Sequence, residues 1–238
     1  MAAPRRFFVE NIAEEVELPL SESRHARNVL RLAEGDEVTL FDGSGSEYSA
    51  VVTRADKNGV SVHVVRAQTS DREPKTDVFL LVGVLKGDKT ELVVQKATEL
   101  GANRIGVFSS RYCAAYMNEN KLERLRRVAR EAAKQCLRAA VPQVEYFASL
   151  PSALAAGNGY ASKFFACEFL PSGEGRIADM GASVAAVVGS EGGFSEEEYA
   201  LAADMGYTGI SLGRRILRAE TAAVALLSVI MYEAGELR

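Results

Sequence analysis

Residues 77–85 read DVFLLVGVL, an unbroken apolar run that ends at a charged residue, Lys86. A run of this kind is typical of a strand that is buried on both faces of a parallel sheet. Strands and helices alternate after it, with strands predicted at 104–110, 144–147, 163–169, 183–189 and 210–213 and helices at about 88–100, at about 119–139, from Ser195 onward and at 219–235. This order predicts an α/β domain with a mostly parallel sheet.

The segment before this domain follows a different pattern. From Val38 to Val65, short β-rich runs are separated by turn clusters, and Asn58-Gly59 favours a hairpin with a type I′ turn. These runs indicate a small β-barrel or meander. Because the polar stretch at 68–76 separates the two patterns, we predict a β domain over residues 1–70 and an α/β domain over residues 75–238.

The composition excludes several classes of protein. The chain has 238 residues, of which 47% are hydrophobic and 25% charged, so it can fill a core and is not intrinsically disordered. No apolar run approaches the roughly 20 residues that span a bilayer, and the amino terminus lacks a signal peptide, so we expect a cytoplasmic protein with no membrane partner. Three cysteines without a CxxC pair and two histidines predict neither a disulfide framework nor a metal site.

Positive charge is concentrated in the middle of the chain. The net charge is −4, but residues 71–140 carry 14 basic and 9 acidic groups. The helix predicted at 119–139 places one set of basic residues opposite an apolar face: Arg127, Arg130, Lys134 and Arg138. Such a face is either a solvated surface or a binding site for a phosphate-rich partner. The few acidic residues on the helix itself favour the partner.

A second basic cluster lies near the amino terminus. Arg5, Arg6, His25, Arg27 and Arg31 occur close to Phe7 and Phe8, and cations beside aromatic rings suit phosphates and unstacked bases. The alternative is that the two phenylalanines belong to the core of the β domain and that nearby glutamates balance the charge.

Two glycine-bearing loops follow predicted parallel strands. They read VGSEGGFS at 188–195 and LGRRILRAET at 212–221. Ligands of open α/β sheets bind outside the carboxyl ends of the strands, and glycine lets the backbone approach them closely, so the two loops could form one pocket. The alternative is that the glycines only make tight turns. A phosphate loop is not predicted, because GVLKGDKT at 83–90 carries Asp88 in place of the second glycine, which weakens any reading as a nucleotide hydrolase.

The chain resembles a known family in these motifs. RRFF near the start, HARNVLR (25–31), LFDGSG (40–45), VQKATELG (94–101), EAAKQCLRAAVP (131–142) and the two loops are similar to the bacterial 16S ribosomal RNA uracil-N3 methyltransferases of the SPOUT superfamily. The resemblance implies a PUA-like RNA-binding β domain and an α/β domain with a trefoil knot. It also implies S-adenosylmethionine as cofactor, 16S rRNA or the small ribosomal subunit as partner, and a homodimer.

The resemblance also assigns residues to roles. The residues expected to line the cofactor are Leu170, Gly189, Glu191, Gly192, Gly193, Leu212, Gly213, Ile216, Leu217, Arg218 and Ala219, with Pro171 beside Leu170 in a third loop. Charge and resemblance together suggest RNA contacts by Arg5, Arg6, His25, Arg27, Arg31, Lys86, Lys89, Arg111 and Arg138. The family often has histidine where this chain has Leu170, and usually has proline where it has Ser190.

Catalysis on N3 of uracil requires an unpaired base that loses a proton. Arg218 is the expected stabiliser of the developing anion, since a guanidinium stays charged and cannot act as the base. Glu220 or Glu191 could accept the proton, or could only cap a helix or hold a loop. The competing interpretation of the chain is a non-catalytic RNA-binding protein of ribosome assembly, which would not bind S-adenosylmethionine.

Overall fold

The computed structural model describes residues 5–170, 175, 177 and 180–238. Contacts divide the chain into two compact units. The first contains the described residues up to Glu73 together with Arg130–Val141, and the second contains Pro74–Ala129 and the described residues from Pro142 to Arg238. The segment Arg130–Val141, which we expected in the α/β domain, thus groups with the β domain.

The first unit is built on a five-stranded sheet in the order β1-β3-β4-β5-β2. Its elements are β1 (Arg6–Phe8), β2 (Glu15–Glu17), α1 (Leu20–Asn28), β3 (Glu37–Phe41), β4 (Ser46–Asp56) and β5 (Gly59–Thr69). Strands β1 and β3 pair in parallel, and the other pairs are antiparallel. The core of this unit includes Phe7, which is fully buried, as the alternative interpretation expected.

The predicted hairpin forms between β4 and β5, but its turn differs from the prediction. Asp56 pairs with Gly59, so the two turn residues are Lys57 and Asn58, and neither has a positive φ. A type I′ turn requires positive φ at both positions, so the type I′ prediction is wrong. The Asp56 carboxylate accepts the N–H of Asn58 at 2.8 Å, which stabilises the turn instead.

The second unit is a six-stranded sheet in the order β11-β9-β10-β6-β7-β8, and every neighbouring pair is parallel. Its elements are β6 (Asp77–Gly83), α2 (Lys89–Glu99), β7 (Arg104–Phe108), α3 (Glu119–Cys136), β8 (Gln143–Phe147), α4 (Leu150–Ala156), β9 (Ser162–Ala166), β10 (Ser183–Val188), α5 (Glu196–Asp204), β11 (Thr208–Ile210) and α6 (Ala219–Glu233). Helix α3 extends past Ala129 into the segment that groups with the first unit. The α/β class and the mostly parallel sheet are confirmed; the knot stays a prediction.

Local sequence accounts for most of these elements. Residues 78–82 are buried, as expected for a strand covered on both faces. Helix α5 begins with the predicted capping box, in which the Ser195 side chain accepts from the Glu198 N–H and the Glu198 carboxylate accepts from the Ser195 N–H. Helix α4 was not predicted; it begins at the N-cap Ser149 with Pro151 in its first turn. Strand β11 ends at Ile210, where the strand was predicted to begin.

The topology brings three strand ends together. Strand β9 lies between β11 and β10, so the carboxyl ends of β9, β10 and β11 open at one edge of the sheet. Strand β6 pairs with β10 and approaches the loop that follows it. A Cβ atom on Gly83 would lie 2.5 Å from the backbone nitrogen of Ser190, so only glycine fits there.

Among the described residues, no helix is long and apolar enough to cross a bilayer.

Candidate active site

A cleft lies at the carboxyl ends of β9, β10 and β11. It encloses roughly 720 Å³ of space, a volume that includes its open mouth. Its walls are formed by Ala166, Cys167, Glu168, Val188, Gly189, Glu191, Ser211, Leu212, Gly213, Arg214, Arg215, Ile216, Leu217, Ala219 and Ala222. The two glycine-bearing loops therefore meet in one cleft, as the strand order requires.

The cleft contains most, but not all, of the residues expected to hold a cofactor. Those in its walls are Gly189, Glu191, Leu212, Gly213, Ile216, Leu217 and Ala219. Leu170, Gly192, Gly193 and Arg218 do not line it. Leu170 packs against the core of this unit, and Arg218 is the exposed N-cap residue of α6. Pro171 lies outside the described residues.

Two of the loop glycines are explained by close backbone approaches. A Cβ on Gly192 would lie 2.5 Å from the Cβ of Tyr112. Gly193 has a φ of +65°, and a Cβ there would collide with the Glu168 carboxylate. Both positions therefore require glycine for packing and backbone conformation, whether or not a ligand approaches them.

Several residues of the cleft wall were not predicted from the sequence. Glu168 follows β9 by two positions, and its exposed carboxylate faces the cleft beside Gly193. Arg214 and Arg215 lie in the second loop, are exposed, and have no ion-pair partner in the described structure. Their neighbour Ile216 is 87% exposed, which is unusual for an isoleucine. The motif containing these three residues was visible in the sequence, but their exposure at one cleft mouth was not.

One lysine connects the two loops. The Lys89 ammonium lies 3.6 Å from Oε1 of Glu191 and 3.4 Å from Oε1 of Glu220, and the N–H of Lys86 donates to Glu191 at 2.9 Å. Burial favours the neutral form of Glu191, but the Lys86 N–H and the charge of Lys89 outweigh burial and lower the pKa of this carboxyl. A carboxylate so stabilised is a poor proton acceptor, which disfavours Glu191 as the base.

Glu220 differs from Glu191 in its surroundings. Its side chain is 14% exposed, and its Oε2 atom is buried without a hydrogen-bond partner in the described structure. A buried carboxylate oxygen is costly to leave unpaired, so this oxygen is available to a donor. Glu220 does not itself line the cleft, but its neighbour Ala219 does.

Two of the arginines expected to contact RNA are buried. Arg6 and Arg138 are each 4% exposed. Arg6 pairs with Glu47 and donates to the backbone carbonyl of Arg138, and Arg138 pairs with Glu73 at 2.9 Å. Their guanidinium groups are inside the first unit and already paired, so their position does not favour RNA contact, which stays a prediction for these two side chains.

Most side chains on the predicted basic face of α3 also have partners within the protein. Lys134 forms an ion pair with Glu22 at 2.6 Å, and the Arg130 guanidinium stacks over the Phe8 ring at 4.4 Å. Arg127 remains exposed. A glutamate from α1 neutralises Lys134, and the uncharged ring of Phe8 covers Arg130.

The remaining predicted RNA contacts lie at accessible positions. Arg5 is exposed and pairs with Asp36, His25 and Arg27 are half-buried on α1, and Arg31 follows that helix at an exposed position with a φ of +53°. In the second unit Lys86 and Arg111 are exposed, and Arg111 contacts Glu197 at 3.3 Å. Lys89 is only 31% exposed and is held by the two glutamates.

No group of three or more histidine, cysteine or acidic side chains is placed to hold a metal ion within the described ranges. The thiol of Cys167, in the cleft wall, is also an unsuitable ligand because burial raises its pKa to about 11.

Two domain families match successive parts of the chain. Residues 72–231 match the RNA methyltransferase domain family, and residues 19–65 match the RNA methyltransferase PUA domain family. The chain is 31% identical to ribosomal RNA small subunit methyltransferase E of Bacillus subtilis, over 98% of both chains.

Two solved structures have the same fold. Ribosomal RNA small subunit methyltransferase E of Neisseria gonorrhoeae, bound to S-adenosyl methionine, is 29% identical, covers 95% of this chain and 96% of its own, and gives a TM-score of 0.84. A methyltransferase of Legionella pneumophila in complex with the same cofactor is 27% identical, covers 96% of this chain and 97% of its own, and gives a TM-score of 0.85. The predicted PUA-like domain is confirmed, and the chain belongs to the ribosomal RNA small subunit methyltransferase E family of RNA methyltransferases.

Proposed function

We propose that this protein transfers a methyl group from S-adenosylmethionine to N3 of a specific uridine in the 16S rRNA of the small ribosomal subunit. The observation that carries the proposal is the single cleft in which both glycine-bearing loops meet at the carboxyl edge of the parallel sheet. Residues 75–238 form the methyltransferase domain in this proposal, and residues 1–70 form the RNA-binding domain. The protein acts in the cytoplasm, where its substrate is made.

The cleft fits this cofactor in its chemistry. Leu212, Ile216 and Leu217 offer apolar contacts for an adenosine, and the backbone at Gly213 is open to close approach. The carboxylates of Glu168 and Glu191 in the walls favour a cationic ligand. These residues would hold S-adenosylmethionine, which supplies an electrophilic methyl group on a sulfonium.

Methylation of uracil also requires that N3 lose a proton, and the side chains near the start of α6 suit this step. Arg218 is exposed at the N-cap, where its guanidinium and the free N–H groups of the first turn can stabilise negative charge on uracil O2 and O4. Glu220, which follows the cleft-lining Ala219, is the proposed acceptor of the N3 proton. The proton leaves N3 as the new N–C bond forms, so the uracil product is neutral.

RNA reaches the cleft over its basic mouth. Arg214 and Arg215 are exposed there without ion-pair partners in the described structure, so they can bind the phosphates next to the flipped uridine. Arg5, His25, Arg27, Arg31, Lys86 and Arg111 provide further accessible basic groups. Arg6 and Arg138 have no RNA role in this proposal because they are buried, and Lys89 has none because two partly buried carboxylates hold it.

The protein acts as a homodimer in this proposal. Apolar side chains on α6 support it: Val229 is 43% exposed and Tyr232 is 52% exposed. Light scattering on the purified protein tests the dimer, and a mass of one chain at micromolar concentration contradicts it.

Methyl transfer to small-subunit RNA from a strain that lacks the modification tests the main proposal. Naked 16S rRNA and intact small subunits are each incubated with the protein and labelled cofactor, and the nucleosides are then analysed. We expect labelled 3-methyluridine and no other labelled nucleoside. A protein that binds RNA but shows neither transfer nor thermal stabilisation by S-adenosylmethionine would be a non-catalytic assembly factor.

The role of Arg218 has its own test. Arg218→Ala is expected to lower turnover by about 10²–10³-fold, because it removes one stabiliser of the uracil anion. Cofactor affinity, measured by calorimetry, is expected to stay within about twofold. An equal loss of turnover and of cofactor affinity would assign Arg218 to cofactor binding instead.

A further inference from the structure

Lys89 occupies a position between three elements of the second unit. It is the first residue of α2, and its ammonium lies within 4 Å of carboxylates on the loop after β10 and on α6. The lysine side chain is 31% exposed, and the partner carboxylates of Glu191 and Glu220 are 27% and 14% exposed. Partial burial of all three groups strengthens their interaction relative to a surface ion pair.

Both partners of Lys89 are tied to the cleft. Glu191 lines the cleft in the first loop. Glu220 is flanked by Ala219 and followed by Ala222, which line the opposite wall at the start of α6. The ammonium therefore joins the two walls from the side of α2.

Lys89 supplies the positive charge that balances the carboxylates of Glu191 and Glu220. Glu191 has a second donor in the N–H of Lys86, but Lys89 is the only cation within 4 Å of the Glu220 carboxylate in the described part of the chain. Without the ammonium, two partly buried carboxylates would face each other, and either the walls would separate or one carboxyl would take up a proton.

We propose that Lys89 is a positioning residue that holds the two walls of the cofactor cleft at their working separation through Glu191 and Glu220. This inference rests on the proposed function and reassigns Lys89 from RNA contact to the cleft. Lys86, exposed three residues earlier in the chain, keeps the RNA role. The sequence alone suggests RNA contact for both lysines, whereas in the structure Lys89 is held by two carboxylates and Lys86 is exposed.

The test compares Lys89→Met with Lys86→Met in the full-length protein. Lys89→Met is expected to weaken binding of S-adenosylhomocysteine, measured by calorimetry, about tenfold, because the ligand must then pull the walls together against repulsion. Lys86→Met leaves the backbone N–H to Glu191 intact, so cofactor binding is expected to be unchanged. Its RNA affinity is expected to fall, and the salt dependence of RNA binding to decrease by about one unit of slope.

Two rescue variants make the test specific. Lys89→Arg keeps a cation between the carboxylates and is expected to bind the cofactor product within about threefold of wild type. Lys89→Met combined with Glu220→Gln removes the repulsion and is expected to recover most of the lost affinity.

The outcomes separate this proposal from the proposed function. A wild-type protein that does not bind S-adenosylmethionine contradicts the proposed function. A wild-type protein that binds it, with Lys89→Met binding equally well or losing RNA affinity as Lys86→Met does, overturns only the role of Lys89. If Lys89→Met does not fold by circular dichroism, the charge-balanced double variant decides: weak cofactor binding by the folded double variant also overturns the role.

Discussion

Replacing Arg138 by methionine tests whether this arginine stabilises the fold or binds RNA. The guanidinium contacts the Glu73 carboxylate through Nε at 3.0 Å and Nη2 at 2.9 Å, and the arginine side chain is 5% exposed. Methionine keeps the apolar stem and removes the charge, so Glu73 loses its cation inside the first unit.

The expected loss in free energy of unfolding follows from the burial of Arg138 and Glu73. Breaking a buried ion pair by removing one partner costs about 3–5 kcal/mol. Two backbone N–H groups, of Ala139 and Ala140, still donate to Oε1 of Glu73 at 2.7 and 2.9 Å, and Glu73 is 19% exposed. We therefore expect a loss near the lower limit, about 3 kcal/mol, which lowers the melting temperature of a chain of this size by about 6–12 °C.

The assay pairs Arg138→Met with Arg27→Met, a half-buried arginine on α1. Thermal unfolding and filter binding of a 16S rRNA fragment are measured for both, with salt varied from about 50 to about 200 mM. Arg138→Met is expected to unfold earlier but to keep the wild-type salt dependence when folded. Arg27→Met is expected to keep its melting temperature and to lose about one unit of slope. An unchanged melting temperature for Arg138→Met, with a reduced slope, would refute the structural role.

Three further predictions concern the cleft. Gly83→Ala places a Cβ 2.5 Å from the backbone nitrogen of Ser190, so it should shift the first loop and weaken cofactor binding about tenfold. Gly159→Ala, whose Cβ would meet no atom within 4 Å, should leave cofactor affinity by calorimetry unchanged. Equal affinities for the two variants would be evidence against the close approach at Gly83. Because the folded-state pKa of Glu191 lies below its ordinary value of 4.5, its carboxylate contributes stability above that pH and loses it as the pH falls through the folded-state pKa. The difference in free energy of unfolding between wild type and Glu191→Gln should therefore shrink on acidification below 4.5, and a constant difference in urea titrations would contradict this. Burial raises the pKa of Cys167 to about 11 from 9.0, so its alkylation by iodoacetamide at pH 8 should be about a hundredfold slower than that of an unperturbed thiol, and fast labelling in mass spectra would exclude this burial.

Local patterns predicted much of the fold because they report local physics. The apolar run at 77–85 predicted a central strand, since only a strand covered on both faces has no polar side. Ser195 and Glu198 predicted the start of α5, because a capping box is made within four consecutive residues. Helix α4 escaped prediction because its seven residues are too few for a clear helical period.

The candidate site was predictable only in part. The glycine-bearing loops follow β10 and β11, and the rule that ligands bind at carboxyl ends of parallel strands was enough to place both at one cleft. That rule does not say which side chains turn inward. Arg218 was assigned to the cleft wall and lies outside it, whereas Glu168 was overlooked and lines it.

By itself, the sequence determined the class of the fold, the order of most elements of the α/β domain and the position of its two glycine-bearing loops, because periodicity, capping and glycine content act over a few residues. Only the tertiary structure decided which cations remain accessible. Arg138 is paired with a glutamate 65 positions away, and Lys89 with glutamates more than 100 positions away, whereas Arg214 and Arg215 are left exposed. The physical reason is that the state of a charged side chain depends on the partner that folding brings to it, and a partner that distant leaves no mark on the local pattern.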